Sequence, residues 1–152
     1  MPKAIEAHFA DIEDALATAR LAPLSARKTL LAVVLLDNFA DLVFDTLRFT
    51  APGKVFDAED LPAFRAELTT RSPVLGIIFA LGAVRDRGPR LVTKSVEVPI
   101  AEYSKLSVED FMVSLYNRHT VQRVVIVSPD AGDRLALDVL GEAVAWWRDF
   151  LG

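Results

Sequence analysis

The chain has 152 residues and a mass of 16.7 kDa, and its 52% hydrophobic and 25% charged content is globular rather than disordered. The net charge of −4 argues against broad binding to nucleic acid or an anionic membrane, because phosphate neutralisation needs a basic footprint. With no cysteine and two histidines, disulfides, thiolate nucleophiles and cysteine-bound zinc are excluded, and neither a metal site nor a cofactor is expected.

At the N-terminus, "MPKAIEAHFADIEDA" carries acids where an export signal would hold its apolar stretch, so a cytoplasmic location is expected. Ile5, Phe9, Ile12 and Leu16 alternate spacings of four and three, which predicts a helix over residues 4–19. "LAPLS" breaks that pattern, and Ser25 is positioned to cap a second helix running to about Arg48. This second helix is apolar nearly all round in its first half, which predicts a central place in the core. Its longest apolar run, residues 30–36, stops at Asp37. A membrane span needs roughly 20 such residues, so none is expected.

"TAPGK" reads as a turn, followed by a helix in "DAEDLPAFRAEL" capped by Asp57 or Asp60, with Pro62 in its first turn. Ser72 before Pro73 opens a further helix through "VLGIIFALG", a run that would also suit a buried strand. "RLVTKSVEV", ended by Pro99, reads as an edge strand. Ser107 and Asp110 resemble a capping box opening a helix to about Tyr116. "TVQRVVIVS" is β-branched and short, a strand. If the two strands share a sheet, this order predicts a parallel pair through a right-handed crossover. From Asp138, the pairs Val139/Leu140 and Ala143/Val144, then Trp147 and Phe150/Leu151, form one stripe. The whole predicts a single α+β domain over residues 1–152. Its helix-rich N-terminal half packs with a small sheet and a C-terminal amphipathic helix.

The stretch "VVIVSPDAGDR" concentrates the candidate chemistry. Pro129 fixes a turn dihedral, Asp130 favours turns and Gly132 can supply a positive φ, so the strand is expected to reverse as a hairpin through "RLALD". The same residues resemble the pyrophosphate-binding loop of phosphoribosyl pyrophosphate synthetases, in which a strand ending in Ser-Pro-Asp is followed by a glycine and then a helix. That resemblance implies a phosphate or sugar-phosphate pocket lined by Ser128, Asp130, Gly132 and Arg134, with free N–H groups offered to the anion. Arg118, His119 and the basic cluster Arg85, Arg87, Arg90 and Lys94 would assist. The glycine pair of that family is here Gly132-Asp133. The turn is the leading expectation and the anion site its alternative.

Asp37, Asp41 and Asp45 recur every four residues, with Arg48 a turn further on, so they line one helix face. A solvated stripe is expected, although such a face also suits a divalent cation or a partner's basic residues. His8 lies beside the apolar stripe of the first helix and is expected to pack. Trp146 and Trp147 cannot share one face, so one should be core and the other partly exposed. Both are interface candidates. Dinucleotide, Walker and nucleophile-elbow motifs are absent from the sequence. The functional expectation is therefore a non-catalytic protein acting through protein–protein interaction or self-association.

Overall fold

The computed structural model describes residues 1–83, 88–97, 120–129 and 132–152. Its first two helices form an antiparallel-order scaffold: α1 (Lys3–Leu21) packs along α2 (Ala26–Leu47). α1 buries Ile5, Phe9, Ile12 and Leu16, the residues whose spacing predicted it. Ser25 caps α2 by accepting a hydrogen bond from the Lys28 backbone N–H at 3.2 Å. The buried Thr29 hydroxyl donates to the Ser25 carbonyl at 3.0 Å, so this inward-facing polar group is satisfied. His8 stacks on Phe39 of α2, with ring centroids 5.6 Å apart.

A short 3-10 turn (Pro52–Val55) leads into Phe56 and Asp57, both with positive φ. Asp60 then accepts from the Ala63 N–H at 2.9 Å and caps α3 (Leu61–Arg71), so the cap is Asp60 and Asp57 is spent in the turn. Ser72 alone separates α3 from α4 (Pro73–Gly82). The ambiguous run is helical, burying Val74, Leu75, Ile78 and Leu81 at helical spacing behind a proline already suited to the first turn.

β1 (Arg90–Glu97), β2 (Thr120–Ser128) and β3 (Gly132–Leu135) form a sheet in the order β1-β2-β3. Both pairings are antiparallel. The expected parallel pair through a crossover is thus corrected: the register runs from Arg90↔Val127 to Glu97↔Thr120, so the chain leaves β1 and enters β2 at the same end of the sheet. The helix expected near residues 107–116 lies outside the described residues. Val124 and Ile126 of β2 join the helical core, while Val121 and Val125, on the opposite face by strand alternation, are also buried. A central strand shielded on both sides accounts for the consecutive apolar residues 124–127.

The terminal helix α5 (Ala136–Leu151) starts directly from β3, before Asp138. Leu135 occupies the cap position without a side-chain hydrogen bond, and Asp138 sits inside the first turn, where its charge favours the helix dipole. α5 packs on α1, α2 and α4 and on the sheet. Its Trp147 reaches the centre, meeting Phe39 edge-on at 4.9 Å. The α+β architecture is the one expected, a helical N-terminal half with a small sheet and an amphipathic C-terminal helix.

Candidate interaction surface

The loop with the most suggestive sequence is a hairpin. Ser128 pairs with Gly132 across the reversal, and Gly132 adopts φ +74°. No helix follows directly, because β3 stands between the loop and the first turn of α5. Arg134 is engaged by Glu142 of α5 at 2.9 Å. Asp133 bonds Lys94 of β1 across the intervening strand. The structure therefore brings Ser128 and Gly132 together at the sheet end and turns Arg134 to a helix carboxylate. Arg118, His119 and Asp130 lie outside the described residues, as do Arg85 and Arg87.

The acidic stripe is corrected more sharply. Asp37 and Asp41 are not freely solvated, because both grip Arg65 of α3. Its Nη1 lies 2.7 Å from Asp37 Oδ1, its Nε 3.1 Å from Asp41 Oδ1, and its Nη2 donates to the Asp37 carbonyl at 2.9 Å as well as to Asp41. The guanidinium also lies over the Phe79 ring of α4, 4.5 Å from its centre. One side chain thus ties α2, α3 and α4. Burial works to lower the Arg65 pKa, but the hydrogen bonds and charges of Asp37 and Asp41 outweigh it and hold the cation above its ordinary range. Sequence spacing revealed the two carboxylates. Arg65 carried no signal beyond its place next to Phe64 on a short helix. Asp45, at the end of the stripe, remains exposed.

Of the two tryptophans read as interface candidates, Trp147 lies wholly inside the chain, at 0% exposure. It cannot reach a partner, because its position on the stripe points it at Phe39. Trp146 is half-buried, stacked on Phe150 at 5.5 Å. Among the described residues the Trp147 indole N–H has no hydrogen-bond acceptor, and its ring meets Phe39, Trp146 and Phe150 at steep angles.

The larger unassigned surface is on α2. Its buried face is Thr29, Ala32, Val33, Leu36, Phe39, Ala40, Val43, Phe44 and Leu47. The expected all-round burial of its first half does not hold. Leu30, Leu31 and Val34 are 45%, 55% and 41% exposed. At 100° per residue they share one face with Arg27 before them and with Asn38, Asp41 and Asp45 after them. The surplus apolarity of this helix is thus a solvent-facing patch, flanked by a cation at one end and carboxylates at the other. Such a patch on a helix bounded by polar residues is characteristic of an interaction site.

No family model, curated protein or solved structure matches the chain significantly.

Proposed function

We propose that this protein acts without chemistry of its own, as a protein-binding domain whose docking face is the exposed side of α2. The observation that carries the reading is the contiguous exposure of Leu30, Leu31 and Val34 on a helix whose other side is core. Leaving three large aliphatic side chains in water forgoes about 25 cal/mol for each Å² that a partner would cover. Helices with apolar residues at this spacing are recognised by laying that face into a groove or against another helix. The non-catalytic part of the reading is supported by how the reactive groups are used. Arg134, Asp133, Asp37 and Asp41 are each committed to an ion pair that joins two elements of the fold.

The test is position-specific photo-crosslinking. A benzoylphenylalanine replacing Leu31, in the protein made at its native level in its own cells, should yield a discrete protein adduct. The same probe replacing Asp149, exposed on α5, should yield none, and Val34→Asp should abolish the adduct from position 31. An absence of discrete adducts from position 31 would overturn the reading.

A further inference from the structure

We infer that the partner on the α2 face is a second copy of this chain, docked across a two-fold axis with the two α2 helices antiparallel. The inference rests on the reading of that face as a protein interface and goes on to say what covers it.

The argument is the order of charges along the exposed face. From its N-terminal end it reads Arg27, then Leu30, Leu31 and Val34, then Asn38, Asp41 and Asp45, with the C-cap Arg48 beyond them drawn over the Phe44 and Phe49 rings. The first turn of α2 holds no acid and the last turn no base. Arg27 and Lys28 therefore sit at the positive end of the helix dipole and Asp45 at the negative end, each opposed by the dipole of its own helix. Among the described residues Arg27, Lys28 and Asp45 make no ion pair. Asp37 and Asp41 share a single guanidinium, so that cluster also keeps a net negative charge. The helix presents a basic end and an acidic end with apolar residues between them.

An antiparallel copy brings the basic end of each helix alongside the other's Asn38 and Asp41. With the axis midway between Leu31 and Val34, Leu31 packs on the partner's Val34. Arg27 then faces the partner's Asn38, one turn from the partner's Asp41. That separation is within the span of an arginine side chain. The overlapping dipoles run antiparallel and side by side in this arrangement, which also favours the pair. A parallel pair would set like charges together at both ends, which is unfavourable. The two-fold arrangement is self-complementary and closes at two copies, whereas a head-to-tail contact would continue into a ring or filament.

The experiment is sedimentation equilibrium of the purified full chain from about 1 to 300 µM, the range in which small protein interfaces dissociate. A monomer–dimer equilibrium is expected, and Leu31→Asp should leave only monomer with an unchanged circular dichroism spectrum. Arg27→Glu and Asn38→Lys each place like charges across the axis twice, and each should weaken the dimer roughly tenfold. The double variant Arg27→Glu/Asn38→Lys sets opposite charges face to face across the axis and should recover an affinity near the original, an outcome that misfolding cannot produce. A dimer indifferent to the single variants, or double-variant weakening equal to the sum of the two, would overturn the antiparallel pairing. A strict monomer at all concentrations would overturn the second-copy inference. The reading of the face as an interface would then stand or fall separately on whether position 31 crosslinks to a different protein in cells.

Discussion

Arg65 shows how a single residue can decide what a helix face is for. Removing its guanidinium while keeping an unbranched side chain, as in Arg65→Met, leaves Asp37 and Asp41 on the same face without their cation. With the three side chains only 21% to 42% exposed, the expected loss is about 2–3 kcal/mol, below the full cost of an orphaned buried charge. Asp41→Asn, at the more exposed end, should cost about 1 kcal/mol because the amide oxygen still accepts one bond. Urea unfolding with an unchanged slope measures both. A loss within about 0.5 kcal/mol for Arg65→Met would restore the freely solvated stripe. The pKa of Arg65 is raised, so the part of this stability that depends on its own charge is complete at neutral pH and falls away only as pH rises into strong alkali. At this scale the sequence was half legible. Carboxylates four apart announce a shared face, but nothing local says which arginine, at a separation of 24 or 28 residues, will fold back onto them.

Between elements, two glycines carry separate consequences. Gly82 ends α4 against α2, and a Cβ built there would overlap the Asp37 carboxylate. Replacing a helical glycine by alanine ordinarily stabilises by up to about 1 kcal/mol. Gly82→Ala should instead destabilise, since the displaced carboxylate loosens its hold on Arg65. The cost should shrink in an Asp37→Ala background, with a coupling above roughly 0.5 kcal/mol in the double-mutant cycle. Additive effects would show that α4 tolerates the shift. Gly132 differs, because no atom lies within 4 Å of its hypothetical Cβ and its φ is +74°. Gly132→Ala should cost about 1 kcal/mol through backbone conformation alone, and Gly132→Asn less, because asparagine enters the left-handed region more readily. Equal costs for the two would remove that explanation. These elements were largely readable in advance. The Ser25 cap, the Pro73 start and the turn at Pro129 and Gly132 are local signals, and each stands where its chemistry placed it. Strand direction was not readable, because residue alternation is the same in parallel and antiparallel sheets and only the pairing partner distinguishes them.

At the scale of the whole molecule, a continuous apolar helix says how much surface must be covered, but not whether the cover is the same chain. α2 was expected in the core all round, and the exposed side of its first half is what the fold leaves over. The proposed antiparallel dimer makes a distinctive demand on solvent conditions. Its apolar centre is insensitive to simple salt, while its two charged ends are exposed and lie within a screening length of their partners. Raising sodium chloride from 0.1 to 1 M shortens the Debye length from about 10 to about 3 Å, so the dimer should weaken across that range. The Arg27→Glu/Asn38→Lys variant should respond with the same sign, because it too holds opposite charges across the axis. Arg27→Gln should be weaker at low salt and show a shallower response. Sulfate, which strengthens apolar burial by exclusion from protein surface, should shift every variant that retains Leu31 toward dimer once the charges are screened. Sedimentation in the two salts therefore separates the terms. A wild-type dimer that tightens steadily in sodium chloride would mean that its contacts are apolar throughout, and that the ordered charges on α2 play no part in pairing.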